Sequence, residues 1–210
     1  MVQKKESTPK RRGRPRAYDP AQAIARAADR FWQAGYAGTS LDDLSDATGM
    51  NRPSLYAAFG DKRDLYLKTL EYYREESHMM ARDALADDPP LRVLLKRLYD
   101  GALALYLDGG PRGCYTIGTA ATVAAVDEKV RDFLADSMRS TDGFFRRQIE
   151  KAQARGEIAR DADAKALGCL ATGTLHTLAL RARAGLARKE LDTLVDAAIN
   201  VICGPVKPAK

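Results

Sequence analysis

The chain has 210 residues, with 34 Lys and Arg against 28 Asp and Glu, which gives a formal net charge of +6. Residues 1–17 contain seven basic residues and one acid, so the whole excess lies there and the remaining residues balance. Such a local charge points to a polyanion, either nucleic acid or a membrane surface, with a solvated tail as the alternative. Pro9 and Pro15 oppose an amphipathic helix, which argues against the membrane.

Composition also excludes several protein classes. No stretch approaches the ~18 continuous apolar residues of a membrane span, and no apolar segment follows the basic N-terminus as in a secretory signal. The three cysteines are far apart, which favours a reducing cytoplasm over a disulfide framework. No Cys/His cluster has zinc-like spacing, and no phosphate loop or nucleophile elbow indicates catalysis. We therefore expect a cytoplasmic protein that is not an enzyme and has no metal or cofactor.

The residue content favours an all-α fold, since 35 Ala and 23 Leu stand against only 8 Val and 6 Ile. Ala and Leu lose little side-chain freedom in a helix, whereas Val and Ile favour strands. The first helix is predicted to begin after Asp19, a capping residue, with Pro20 at its first position. Gly35 ends it.

Two short helices follow. Ser40 with Asp43 resembles a capping box and begins the second helix, which Gly49 ends. Asn51 caps the third helix, and Gly60 ends it. Two helices of about two turns joined by a glycine turn form a helix-turn-helix, whose second helix is narrow enough to enter the major groove of DNA.

A long fourth helix is predicted to follow Asp61, over about residues 62–86. The glycine and proline punctuation then predicts helices at about 90–107, 112–125, 127–155, 163–184 and 188–203, which makes about nine in all. We divide the chain into a basic arm at 1–17, a helix-turn-helix domain at 18–66, a helical-bundle domain at 67–204 and a tail at 205–210.

Three segments, 35–41, 47–56 and 59–62, resemble the DNA-binding signature of tetracycline-repressor (TetR) type regulators. The resemblance is strongest over residues 18–67. It implies a homodimeric, ligand-responsive transcriptional regulator whose N-terminal domain binds a palindromic operator in double-stranded DNA. The C-terminal helical domain would then dimerise and bind a small-molecule effector, and a repressor is favoured over an activator.

The resemblance assigns DNA contacts to the second, third and fourth helices. In the family, the matching positions are hydroxyl residues at a helix N-terminus, residues at the exposed start of the recognition helix, and two residues that contact phosphate. The assigned residues are Thr39, Ser40, Asn51, Arg52, Pro53, Ser54, Tyr56 and Lys62.

Arg52 is the candidate for a base contact, because a guanidinium can bond O6 and N7 of guanine together; a plain phosphate contact is the alternative. The sequence departs from the family pattern at two places. Pro53 stands where Gly is common and removes a backbone donor. Ala58 stands where His or Tyr is common, which puts one phosphate contact in question.

The basic arm contains residues 12–16, Arg-Gly-Arg-Pro-Arg, which resemble the core of an AT-hook. Pro keeps such a segment extended, and Gly lets it lie deep in a narrow A·T minor groove with enhanced negative potential. We therefore expect Arg12, Arg14 and Arg16 to enter the minor groove beside each half-site.

Candidates for an effector pocket are aromatic residues with a few polar groups, which suit a small organic ligand. They are Tyr99, Tyr106, Cys114, Tyr115, Phe133 and His176. At helical spacing the same residues can equally form ordinary core.

The last two helices carry apolar stripes that could form half of a four-helix dimer interface or could close the core of one chain. The interface candidates are Leu170, Thr174, Leu178, Leu191, Leu194, Val195, Ala198 and Ile202.

Two other functions stay open. Cys114 follows Arg112 near a predicted helix start, and both features favour the reactive thiolate. A cysteine-based sensor of electrophiles or oxidants is therefore one alternative, although a free cysteine is usually a small buried hydrophobe. The second alternative is an architectural protein that binds DNA without sequence preference.

Overall fold

The computed structural model describes residues 18–205 of the chain. The arginines Arg12, Arg14 and Arg16 of the basic arm lie outside these residues, and so does most of the 205–210 tail. The part that is described contains nine helices and no strand, which confirms the all-α prediction. None of these helices is long and apolar enough to cross a bilayer.

The helices follow the predicted order closely. We number them α1 to α9, with α6 made of a π-helical stretch followed by one short α-helical segment. Their bounds are α1 Pro20–Ala34, α2 Leu41–Thr48, α3 Arg52–Phe59, α4 Lys62–Ala84, α5 Leu91–Leu107, α6 Thr116–Ala120 with Ala121–Val123, α7 Glu128–Ala154, α8 Ala164–Arg183 and α9 Arg188–Cys203.

Side-chain caps define the starts of the first four helices, as the sequence predicts. The Asp19 carboxylate accepts from the Ala21 amide at 2.9 Å. Ser40 and Asp43 form a reciprocal capping box at α2. These bonds satisfy amides that have no partner within the helix. Gly49 then takes the left-handed conformation, φ +71°, that the turn between α2 and α3 requires.

Two apolar clusters form the core. The first joins α1–α4 to α6 and the start of α7, and it includes Phe31, Leu44, Tyr66 and Tyr115. The second is built mainly from α5, α7, α8 and α9. Helix α4 contributes to both clusters, with Tyr73 in the first and Ala84 in the second. It therefore runs continuously from the helix-turn-helix into the helical bundle.

The loop before α6 is tied to α1. Trp32 Nε1 donates to the carbonyl oxygens of Gly113 at 3.1 Å and Arg112 at 3.3 Å. The Arg112 guanidinium lies 4.2 Å from the centre of the indole and pairs with Asp29. Arg183 of α8 also donates to the Arg112 carbonyl, at 3.0 Å. The predicted 112–125 helix therefore begins later than expected, because residues 112 and 113 lie in a loop whose carbonyl oxygens accept hydrogen bonds from α1 and α8.

Gly113 offers a sharp test of this junction. Its φ is +66°, and a Cβ there would lie 2.6 Å from the Ala179 carbonyl oxygen. Gly109 has the same backbone twist, φ +67°, but nothing lies within 4 Å of its Cβ position. We expect Gly109→Ala to lower the free energy of unfolding by about 1 kcal/mol for the left-handed backbone. Gly113→Ala should cost about 2 kcal/mol more, because the overpacked contact adds to it.

Urea denaturation of both variants measures the difference. Equal losses would show that the loop moves away from α8 at no cost, and the close approach would then not constrain the fold.

Candidate nucleic-acid interface and internal cavity

Helix α3 presents one face to solvent and packs the other into the first cluster. Leu55 and Phe59 are buried. Arg52, Pro53 and Tyr56 are exposed, with Tyr56 at 47%. The predicted recognition helix therefore has an accessible surface that begins at its N-terminal turn, where base contacts of a helix-turn-helix are made.

Other predicted contact residues have local structural tasks. The Asn51 side-chain oxygen accepts from the Ser54 amide at 2.9 Å and so caps α3. Ser40 Oγ accepts from the Asp43 amide and donates to the Asp43 carboxylate at 2.7 Å. Thr39 is buried, and its hydroxyl donates to the Gly35 carbonyl at 2.7 Å. The expectation of a phosphate contact from the Thr39 hydroxyl is thus corrected, because that group faces the protein.

Lys62 lies at the start of α4, as predicted. Its ammonium is 4.3 Å from the centre of the Tyr36 ring. Burial lowers the pKa of Lys62, and burial together with Asp61 raises the pKa of Tyr36. The two residues form a compact cationic and aromatic corner beside α3.

The arginines near this surface are already paired with carboxylates of α2. Arg30 donates to Asp43 at 2.7 Å, and Arg52 donates to Asp42 at 2.8 and 2.6 Å. The bonds from Ser40 and Arg30 lower the pKa of Asp43 to about 2. Residues 18–62 carry four basic groups and six acids. This surface is therefore a weak source of attraction for DNA and a better source of specific contacts.

A cavity of about 400 Å³ lies among α4, α5, α6, α7 and α8. Three of the predicted pocket residues line it, namely Tyr106, Cys114 and His176. Burial lowers the pKa of His176, although Asp142 opposes that effect. The neutral imidazole is therefore favoured, and it can both donate and accept a hydrogen bond.

The other three candidates are core residues, which corrects their assignment to the pocket. Tyr99 is buried and donates to the Ala171 carbonyl at 3.2 Å. The Tyr115 hydroxyl bonds the Thr69 hydroxyl at 2.7 Å within the first cluster. Phe133 packs in the same cluster beneath the Arg74 guanidinium. None of the three is among the residues that line the cavity.

Sequence reasoning missed the wall that α4 supplies. Tyr73, Ser77, Met80 and Ala81 all line the cavity. Their spacing of four, three and one residues places them on one face of a helix. That periodicity was available in the sequence, but it does not reveal whether the face meets core or a cavity. Phe144 and Arg147 of α7 were missed for the same reason.

Cys114 stands at the edge of this cavity beside two tyrosines. The Tyr73 hydroxyl donates to Cys114 Sγ at 3.6 Å. Burial, reinforced by Cys114, raises the pKa of Tyr73 and Tyr106 well above the usual value, so both remain neutral phenols that can donate a proton to a hydrogen bond. The thiol is half-buried and free of any disulfide. In residues 18–205, no cluster of His, Cys, Asp and Glu is arranged to hold a metal ion.

Most of the predicted dimer stripe faces its own chain. Five of the eight residues are buried within the protomer, which corrects their assignment to an interface: Thr174, Leu178, Leu191, Val195 and Ile202. Leu194 and Ala198 are half-buried, and Leu170 is exposed. Besides Leu170, the exposed large apolar residues of α8 and α9 are Leu180 and Val201, which were not predicted. Helical periodicity finds the most apolar face, and here that face closes the second core cluster.

Two protein-family models match the chain. One, described as bacterial regulatory proteins of the tetR family, matches residues 23–69. The other, described as a tetracyclin repressor-like C-terminal domain, matches residues 92–198. The two matches cover the helix-turn-helix and most of the helical bundle.

Curated relatives agree with these models. The chain is 30% identical to the transcriptional repressor ComR of Escherichia coli over 195 residues, which are 87% of this chain and 88% of ComR. It is 38% identical to the repressor BdcR of the same organism over 118 residues, which are 56% of this chain and 59% of BdcR. Both are named as HTH-type transcriptional repressors.

A solved structure extends the likeness to the fold. A triple cysteine mutant of the TetR family regulator CifR, complexed with 26-base-pair double-stranded operator DNA, is 34% identical to this chain. The match has a TM-score of 0.82 and covers 90% of this chain and 98% of CifR. With both family models matched in chain order, this protein belongs to the TetR family of transcriptional regulators and binds DNA through its helix-turn-helix.

Proposed function

We propose that the protein is a homodimeric, ligand-responsive repressor that binds a palindromic operator and leaves it when a small molecule occupies the internal cavity. One observation carries this proposal: α4 and Cys114 line the cavity, while α4 also packs with α2 and α3 in the first cluster and Gly113, next to Cys114, binds Trp32 of α1. The names of ComR and BdcR as repressors favour repression.

DNA recognition divides between two parts of the chain. The exposed start of α3, with Arg52 and Tyr56, supplies sequence-specific contacts in the major groove. The basic arm at 1–17 supplies attraction and minor-groove contacts, because the described DNA-binding end carries more acids than bases. Such a regulator works on chromosomal DNA in the cytoplasm.

Dimerisation uses the outer faces of α8 and α9. Leu170 and Leu180 project from α8, while Val201, at 68% exposure, projects from α9. Gly173 lies between the two leucines with open space at its Cβ position, which permits close approach of a second helix. Two such helix pairs form a four-helix interface, and its twofold axis matches a palindromic operator.

Effector binding acts on operator affinity through two connections. A ligand against Tyr73 and Ser77 presses on α4, which holds α3 through the first core cluster. A ligand against Cys114 meets the loop whose Gly113 carbonyl binds Trp32 of α1. A coupling free energy of ~1–3 kcal/mol through these contacts is enough to change operator affinity between ~5- and ~150-fold.

Sequence preference separates this function from an architectural role. A duplex selected from a random library by the full-length chain should bind at least about 10³-fold more tightly than random DNA at the same salt concentration. Fluorescence anisotropy measures both affinities. A ratio near one would favour the architectural protein.

Filling the cavity tests the effector step. Ser137 lines the cavity, whereas its neighbour Asp136 is exposed on the outer face of α7. We expect Ser137→Phe to retain operator binding but to lose at least tenfold in sensitivity to an effector found by thermal-shift screening, because the ring occupies ligand volume. Asp136→Phe should respond like the unmodified chain. Equal sensitivity of all three proteins would place the effector elsewhere.

A cysteine-based response is the second candidate, favoured by the contact of Cys114 with Tyr73 at the cavity wall. N-ethylmaleimide adds to a thiol by forming an S–C bond, and the thiol proton ends on the neighbouring carbon. We expect it to release the protein from its operator, and Cys114→Ser should abolish that release. Cys169→Ser and Cys203→Ser are the matched controls. Undiminished release from the Cys114 variant would remove that residue from the mechanism.

A further inference from the structure

The first residue of the recognition helix is held by a carboxylate of the preceding helix. Arg52 Nε donates to Asp42 Oδ1 at 2.8 Å, and Arg52 Nη2 donates to Asp42 Oδ2 at 2.6 Å. Both side chains are largely exposed, at 53% and 70%. The pair therefore lies on the same surface as the exposed start of α3.

The geometry leaves the base-reading part of the guanidinium available. An arginine has five N–H donors in a planar fork, and these form two bidentate edges. Asp42 takes the edge made by Nε and Nη2. The edge made by Nη1 and Nη2 remains, and two parallel donors of this kind match O6 and N7 of a guanine in the major groove.

The other acids of α2 do not pair with Arg52. Asp43 accepts bonds from Ser40 and pairs with Arg30. Asp46 is exposed on the same helix. Within residues 18–205, the only recorded partner of the Asp42 carboxylate is Arg52. Asp42 is thus the α2 acid whose structural contact lies entirely with the recognition helix.

A carboxylate at this position has two consequences for DNA binding. It fixes a long side chain in one rotamer before binding, so less conformational freedom is lost on contact with a base. It also repels backbone phosphates, which lowers affinity for every sequence equally. The first effect increases the ratio of specific to non-specific affinity, whereas the second leaves that ratio unchanged.

We propose that Asp42 is a positioning residue that orients Arg52 to read one guanine in each half-site of the operator. This inference rests on the proposed operator binding by α3. It assigns part of the sequence specificity to a residue of α2 that itself contacts no base.

The experiment uses the full-length chain and the duplex that it selects from a random library. Asp42→Asn removes the charge and weakens the pairing, while Asp46→Asn makes the same charge change on the same helix without touching Arg52. Affinities are measured at one salt concentration for the selected duplex, for the same duplex with each guanine replaced by 7-deazaguanine, and for random DNA. Thermal melting of each variant reports its folding.

Asp46→Asn should tighten binding to all duplexes alike and leave the specificity ratio unchanged. Asp42→Asn should tighten binding to random DNA in the same way but lower the specificity ratio about tenfold. The specificity that Asp42→Asn loses should come from one guanine per half-site. This is the guanine at which 7-deazaguanine weakens operator binding by the unmodified chain. In an Arg52→Ala background, Asp42→Asn should produce no further fall in that ratio.

Several results would overturn the inference. The ratio could respond to Asp42→Asn as it does to Asp46→Asn, or the effects of Asp42→Asn and Arg52→Ala on it could simply add. Tighter operator binding by Asp42→Asn than by Asp46→Asn would mean that Asp42 masks Arg52 rather than positions it. A selected duplex with no advantage over random DNA would instead overturn the proposed function and this inference together.

Discussion

The indole of Trp32 joins the DNA-binding helices to the helical bundle. It comes from the first helix, bonds the carbonyl oxygens of the loop before α6, and packs edge-on against Tyr73 at 5.2 Å. Tyr115 lies 5.7 Å from it and continues the aromatic cluster toward Tyr66. Because these rings are buried and share hydrogen bonds across α1, α4 and α6, the DNA-binding helices and the bundle share one packed interior rather than a hinged interface.

This shared interior connects the cavity wall to α1. The cavity wall and the aromatic cluster meet at Tyr73, whose hydroxyl faces Cys114 and whose ring faces Trp32. A packed cluster of this kind responds to a displaced neighbour by repacking, since interiors have low compressibility. Tyr73 therefore connects the cavity wall to α1 through a single side chain.

The sequence predicted most of the local structure and little of the long-range pairing. Helix starts could be predicted because a capping side chain bonds a backbone amide only two or three residues away. The structure confirms the three caps at Asp19, Ser40 and Asn51. By contrast, Leu178 was assigned to an interface although it is buried in its own chain. Periodicity shows that a face is apolar, but it does not show which surface covers that face. The pairing of Arg52 with Asp42 could not be predicted either, because the two residues are ten positions apart and lie on different helices.

Helix α4 places its side chains by a single uninterrupted register. Tyr66 belongs to the aromatic cluster, and Ala81, fifteen residues later, lines the cavity. Each residue of an α-helix turns the next by about 100°, so one residue inserted between these positions would rotate the cavity wall by more than a quarter of a turn relative to the recognition helix. The loops on either side can absorb a change in length, but this segment cannot. The distance and the angle between the cavity wall and the aromatic cluster are therefore set by the number of residues that separate them on α4.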